Sequence, residues 1–407
     1  MEFLFLTTKY PVQEGDTYMT SELAGELIRR KHKVSVLHIN WNAQLGGKTL
    51  VRTGMHGETI IDVAPRAIGK PGSLRFKISK FWLSNKHAQS EMSRHLEVGE
   101  FDTTVSWTPG VSVAWPLRCA IQRGLKKHVL FVFDFFPIHH LEIGLIPLGP
   151  IYWVAKTLEN RIYRQFTAII CNFPSNMEFL RRNYPLRTTT RILSTPLWSD
   201  ISAPETLSRE IVRKRYGLPP DHPVAIFGGQ ITEGRGIEQM LGAAKFAEKS
   251  QSNLIFLFVG DGRLASMVAT QAAVSNNVRY IPGVNRDEYL ALVSACDIGM
   301  VATVSGVSSF SFPTKTIDYL RAGLRVVAAV ERGSDYLALL SKYSLGEAVN
   351  FDDAEAYFCV VEKLASITHQ TDDHKANVRR CLEDVFHVRH AADKLLQAAG
   401  EPQRNKT

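Results

Sequence analysis

Two doubly wound α/β domains are predicted by three features of this 407-residue chain. Short runs that are apolar throughout, at 34–39, 224–227 and 254–259, alternate with stretches of helical spacing. That is the pattern of parallel strands covered by helices on both faces. Strand ends run repeatedly into glycine-rich or polar loops, the places where such sheets hold ligands. Finally, the polar stretch 195–203, with Pro196 and Pro204, interrupts the alternation, and strand signal restarts at Pro223. The expected division is therefore 1–198, 199–375, and a segment 376–407 whose helix returns to the first domain before a frayed tail.

Taken in order, 2–8 reads as a strand, 17–30 as a helix closed by Arg29, Arg30 and Lys31, and 34–39 as a second strand. Cations suit the negative end of a helix. This is a βαβ unit with Gly15 and Asp16 at the helix start, but no GxGxxG, so a nicotinamide or flavin site is not indicated. Further strands are expected at 103–107, 128–133 and 168–172. In the second half, strands at 224–227, 254–259, 278–281 and 298–301 alternate with helices at 237–250, 263–275 and 286–295. Beyond 352 the chain reads as helical to 399. Two such halves would set the C-terminal ends of both sheets around a cleft.

Composition narrows the class. With 45% hydrophobic and 22% charged residues the chain is neither disordered nor fibrous. Its five cysteines never form a CxxC pair, which speaks against zinc or redox work and fits a reducing, cytoplasmic setting. The opening MEFLFLTTKYP reads as a strand rather than a leader, and no apolar run is long enough to span a bilayer. The net charge of +8 is partly local: from Arg66 to Arg94 seven cations interleave with Phe76, Ile78, Phe81, Trp82 and Leu83, against Glu91 alone. Such a stretch suits an anionic membrane surface; it equally describes a helix with an apolar inner side and a wet basic side. No nucleic-acid motif accompanies it.

The most informative stretch is VATVSGVSSFSFPTKTIDYLRAGLRVVAA, 301–329. It reads as a strand end, a Ser/Gly loop, a helix opened by Pro313 and stopped by Gly323, and a buried strand. Free amides at that helix start suit an anion, and Lys315 and Asp318, three apart, share a helix face. Amides, an ammonium and a carboxylate together suit a phosphate plus a hydroxylated sugar. An ordinary strand–helix–strand unit with solvated polar residues fits the same letters.

Several segments, in this order, resemble the retaining, GT-B-fold nucleotide-sugar glycosyltransferases of the family-4 type. They are FVFDFFPIHHLEIGLIP with KTLENRIYRQFTAIICNFPSNMEFL, GGQITEGRGIEQML, FVGDG, VRYIPGVNRDEYLALVSACDIGMV and FPTKTIDYLRAGLRVVAA. The resemblance covers most of the chain, and the PTK spelling is similar to the P-S-K variant of polysaccharide-pathway members. It implies a two-domain GT-B fold and transfer of a sugar from a nucleotide-diphosphate donor, with retention, to a glycan or polyprenyl-lipid-linked acceptor in surface polysaccharide assembly. A catalytically decayed accessory subunit of the same shape is the alternative. The resemblance further implies no cofactor beyond the donor, no metal, and a cytoplasmic protein, peripheral on the inner membrane face.

Carried over, Arg235 would pair with the donor diphosphate, Lys315 would stand as a second cation, and the amides of Gly228 and Gly229 would let the phosphate approach. Gly236 and Gly260 belong to the same strand-end loops. Asp318 would accept the ribose hydroxyls, and Pro282 and Val284 would border the nucleobase. Ser308, Ser309, Phe310 and Ser311 would wrap the transferred sugar. Asp134 and His139 would orient acceptor or sugar, and Gly15 would line the site from the first domain. Two departures stand out: Phe310 falls eight residues before Asp318 where the family often has an acid, and Gln230 stands where many members have Arg.

Overall fold

The computed structural model describes residues 1–13, 18–199, 201–202, 207–307, 312–330, 334–351, 353–367 and 371–400. It divides into two compact units. The first is Met1–Leu141, Ile146–Asp200 and His387–Thr407; the second is Glu142–Leu145 and Ile201–Phe386.

The central strands of the first unit are buried along nearly their whole length, as their apolar runs require. β1 (Glu2–Thr7), α1 (Met19–Arg29) and β2 (Lys33–Ile39) form the βαβ unit, with Phe3 opposite Val34 in parallel register. A hairpin follows, β3 (Leu50–Thr53) antiparallel to β4 (Thr59–Val63), which the periodicity did not announce. Then come α2 (Leu74–His95), β5 (Thr103–Trp107), a 3-10 turn Gly110–Val113, α3 (Ala114–Gln122) and β6 (His128–Val132). The short α4 (Ile138–Glu142) leads to α5 (Pro150–Tyr163), β7 (Ala168–Cys171), α6 (Pro174–Asn183) and β8 (Arg191–Ser194). The eight strands run β3-β4-β2-β1-β5-β6-β7-β8, with every pairing parallel except β3 with β4.

Side-chain alternation along these strands feeds two separate cores. Leu4, Leu6, Leu130, Val132 and Ile169 pack with Ala88 and Met92 of α2, Leu117 of α3, Tyr163 of α5 and Leu180 of α6. On the other face Phe3, Phe5, Val129, Phe131 and Ile170 pack with Leu23 and Leu27 of α1. Thus α2, α3, α5 and α6 form one helical layer.

The second unit opens with α7 (Arg209–Arg215), β9 (Val224–Gly228), α8 (Ile237–Lys249), β10 (Ile255–Val259), α9 (Ala265–Val274), β11 (Val278–Ile281) and α10 (Arg286–Ser294). It continues with β12 (Ile298–Ala302), α11 (Lys315–Arg321), β13 (Arg325–Ala329), α12 (Asp335–Lys342), β14 (Gly346–Ala348), α13 (Ala354–Ser366) and α14 (Asp372–Cys381). Its sheet runs β11-β10-β9-β12-β13-β14, all parallel. After a π-helical turn Leu382–Phe386, the last helix, α15 (Val388–Ala399), counts with the first unit and joins the α1 core.

One local expectation shifts. Pro313 does not open α11: Thr316 and Ile317 donate to the carbonyls of Pro313 and Thr314, a 3-10 start, so the helix proper begins at Lys315 and has seven residues. Gly323 does stop it, at φ +76°. Four cysteines are buried and Cys359 is exposed. Among the described residues, no helix is long and apolar enough to cross a membrane.

Candidate functional site

In the second sheet the chain moves outward from β9 to β10 and β11, then returns to β12 beside β9 and moves the other way. The β9/β12 junction is therefore a topological switch point, where strand-end loops part and leave room for a ligand. Glycines make that junction. Gly236, at φ +59°, caps α8 where a Cβ would overlap Ala302 at the end of β12. Gly260, at φ +140°, sits so close to Gly229 that a Cβ would overlap its carbonyl oxygen. These are close approaches of backbone to backbone, which residues with a side chain cannot make.

The amides of Gly228 and Gly229 differ from expectation. Gly228 N–H donates to the Tyr319 hydroxyl at 3.2 Å and Gly229 N–H to the Val259 carbonyl at 2.9 Å. Both donors are engaged in the protein, so what these glycines contribute is the missing Cβ. At Gly228 a Cβ would overlap the Tyr289 ring. Tyr319 in turn donates to Met300 O at 3.4 Å, and burial pushes both phenols well above their usual range.

Above this floor stand two cations. Lys315 is half-buried, and its Nζ lies 3.3 Å from the centre of the Phe227 ring. Burial, and secondly the charge of Arg235, hold its pKa well below the usual lysine value. No carboxylate pairs with Lys315 among the described residues. A lysine with no carboxylate of its own, in the field of a guanidinium, is a place where an added anion lowers the energy.

Asp318 lies on the same helix but turns elsewhere. It is 8% exposed and accepts a two-pronged bond from Arg286, Nη1 to Oδ2 at 2.7 Å and Nη2 to Oδ1 at 2.5 Å. Arg321 stands 3.8 Å from Oδ1. Arg286 is the residue that sequence reasoning missed. Its local signal was Asn285, whose side chain caps α10 by accepting from Glu288 N at 2.9 Å; nothing there named a partner 32 positions away. The neighbouring loops are tied together by Asp261, whose Oδ2 accepts from Gly283 N at 3.1 Å. That bond fixes the turn carrying Pro282 and Val284 against the one carrying Gly260.

In the first unit Asp134 and His139 lie on the segment after β6, both half-buried. The Thr108 hydroxyl accepts from the amides of Phe133 and Asp134 at 3.0 and 3.3 Å. Asp134 Oδ1 is buried with no hydrogen-bond partner among the described residues. Near it, fully buried Glu159 accepts from Gly110 N and Val111 N at 2.8 and 3.0 Å. Burial, reinforced by Asp134, pushes the Glu159 carboxyl up to about 8. Gly15, Ser308, Ser309, Phe310 and Ser311 lie outside the described residues.

Residues 208–373 match the model of the family described as Glycosyl transferases group 1. An Escherichia coli (strain K12) protein, provisionally named colanic acid biosynthesis glycosyl transferase WcaI, is 25% identical over 147 residues, 34% of this chain and 35% of its own length. The chain thus spans about a third of the length of the curated relatives it matches. Among solved structures, sucrose-phosphate synthase from Thermosynechococcus elongatus superposes with a TM-score of 0.69 at 14% identity, over 98% of each chain. Anabaena Alr3699/HepE, solved in complex with UDP-glucose, gives 0.66 at 14% identity, over 99% of this chain and 100% of its own. The protein therefore has the GT-B fold, and its residues 208–373 are similar to the Glycosyl transferases group 1 family.

Proposed function

We propose that the chain is a glycosyltransferase that moves a sugar from a nucleotide-diphosphate donor to a glycan or lipid-linked acceptor in surface polysaccharide assembly, with retention at the anomeric carbon. The observation that carries the reading is Lys315 at the β9/β12 switch point, an amine over the Phe227 ring, without a carboxylate partner among the described residues and within the field of Arg235. The names of the relatives support it: one is named for colanic acid biosynthesis and another was solved with UDP-glucose.

In this reading the donor diphosphate lies over Gly229 between Arg235 and Lys315. Negative charge builds on it as the glycosidic bond breaks, so a guanidinium and an ammonium held in place lower the barrier electrostatically. The diphosphate's charge would also oppose the lowering of the Lys315 pKa and favour its ammonium form. The two cations supply the charge that a metal would otherwise bring, and the reading needs no cofactor beyond the donor. Asp318 would receive the ribose hydroxyls on the lone pairs that Arg286 leaves, and Gly236, Gly260, Pro282 and Val284 would shape the nucleotide's surroundings. The amides of 308–311 would meet the transferred sugar. Asp134 and His139 would orient the acceptor, with Gly15 on the same side, and the leaving phosphate would take the acceptor proton. The stretch from Arg66 to Arg94 would face an anionic membrane, since α2 exposes Ile78 and Trp82 among Arg75, Lys77 and Lys86.

The test is a thermal-shift screen with nucleoside diphosphates and their sugars, followed by donor hydrolysis. A stabilising nucleotide and slow hydrolysis are expected, both lost in Arg235→Ala at unchanged melting temperature of the free protein. A variant that turns over at the wild-type rate would remove Arg235 from the mechanism.

A further inference from the structure

The helical layer of the first unit has a second surface that the transferase reading does not use. Along α5, Tyr152, Glu159, Ile162 and Tyr163 point inward. The opposite face, by the 3.6-residue period, carries Trp153 and Val154 in its first half and Arg161 and Arg164 in its second. The apolar half is exposed to an unusual degree: Leu148 is 67%, Ile151 58%, Trp153 59% and Val154 60% exposed. Single exposed apolar residues are ordinary, but four within seven positions form a patch of the kind that mark interaction sites.

The basic half of α5 borders a cavity. Arg164 Nε donates to Pro185 O at 3.3 Å, and Lys156 donates to Asn183 O at 2.9 Å with its Nζ over the Tyr184 ring. Between α6 and β8 the cavity, about 300 Å³, is lined by Arg181, Tyr184, Arg187, Thr188 and Thr190. Neither the Arg181 nor the Arg187 guanidinium makes a hydrogen bond or ion pair among the described residues, whereas their neighbour Arg182 is paired with Glu178. Between Ile143 and Ile192 the chain carries seven Lys or Arg and two acids; of these acids Glu159 is buried and Glu178 paired. The cavity precedes β8, so it lies at the N-terminal edge of the parallel strands, the opposite edge from Asp134.

We propose that this α5–α6 face docks on an anionic phospholipid bilayer. Leu148, Ile151, Trp153 and Val154 enter the interface, and a headgroup phosphate sits between Arg181 and Arg187. Two observations choose this occupant. Apolar insertion beside cations without partners is the combination by which peripheral proteins hold anionic membranes, and tryptophan favours the headgroup level. In addition, α2, with its own basic and aromatic exposure, packs on the same core and belongs to the same helical layer. The inference does not depend on donor chemistry.

The experiment is flotation of the full chain with vesicles of phosphatidylcholine alone or mixed with phosphatidylglycerol. Binding is expected to the mixed vesicles only. Arg181→Ala with Arg187→Ala should weaken it roughly 30-fold, taking the usual contribution of a cation near such a surface. Trp153→Ser with Val154→Ser should remove the part that survives high salt. All four positions are exposed, and unchanged melting temperatures would confirm intact folds. Inorganic phosphate serves as the second probe. If it stabilises the protein through Arg181 and Arg187 while flotation ignores both, the cavity is a free-phosphate site and the proposal falls. It also falls if nothing floats, or if only Lys77→Ala with Trp82→Ser on α2 abolishes binding.

Discussion

Lys315 holds a titratable ammonium where burial and Arg235 both oppose its charge. A phosphate arriving there reverses the balance, so nucleotide binding should take up a proton at alkaline pH, and affinity should fall as pH rises. Calorimetry in two buffers of different ionisation enthalpy measures that uptake, which should vanish in Lys315→Met. Glu159 offers a second titration, in the first unit. Its carboxyl is raised from the ordinary 4.5 to about 8, so between those values the folded state keeps a proton that the unfolded state releases. Stability from this group is complete below about 4.5 and declines as pH rises to about 8, on the order of 5 kcal/mol in all. Lys156, lowered to about 8, acts in the opposite sense only above that pH and does not mask the effect. Thermal unfolding followed from pH 5 to 8 should show a smaller decline in Glu159→Gln than in the natural protein. At this scale Arg235, Lys315 and Asp318 could be named as candidates because they follow glycine-bearing or polar strand-end loops. The fork of Arg286 on Asp318 was not, because a partner 32 residues away is selected by the order of strands.

At the level of elements, apolar strands and glycine-bearing ends were readable and the polar edges were not. β3 is exposed along most of its length, and LVRT lacks both the alternation of a half-buried strand and the uniform apolarity of a buried one. It pairs only at the rim of the sheet, where neither signal is needed. Glycine at strand ends is decided by how closely two backbones pass. Gly260→Ala, whose Cβ would overlap Gly229's carbonyl, should cost on the order of 3 kcal/mol. Gly306→Ala has the same left-handed backbone, at φ +81°, but open space around it, and should cost about 1 kcal/mol. Denaturant unfolding of the two variants distinguishes a steric clash from a conformational preference. α11, with seven residues and a 3-10 start, holds Lys315 and Asp318 through packing of Ile317 and Leu320 rather than through its own length.

Across the whole molecule the last helix matters most. α15 buries Ala391, Ala392, Leu395 and Ala399 in the core of α1, while Arg30 bonds Asp393 at 2.6 Å and the Arg389 carbonyl at 3.2 Å. Leu395→Ala should therefore destabilise by about 2–5 kcal/mol, seen as an earlier transition in the unit that α1 belongs to. A helix kept only by its own propensity would show no loss, because alanine is the better helix former. The chain's letters alone indicated, β3, β4, β8 and β14 apart, two doubly wound halves of mostly parallel strands, the glycine-marked strand ends and the basic stretch from Arg66 to Arg94. Each of these follows from local rules, namely burial on both faces, backbone freedom and charge. Only the tertiary structure settled which groups come together: Arg286 with Asp318, Glu159 beneath the Gly110 turn, and Lys315 over the Phe227 ring within the field of Arg235. It also decided that the Gly228 and Gly229 amides are already bonded. Those outcomes depend on strands adjacent in space and distant in sequence, and on burial, which no single segment sets for itself.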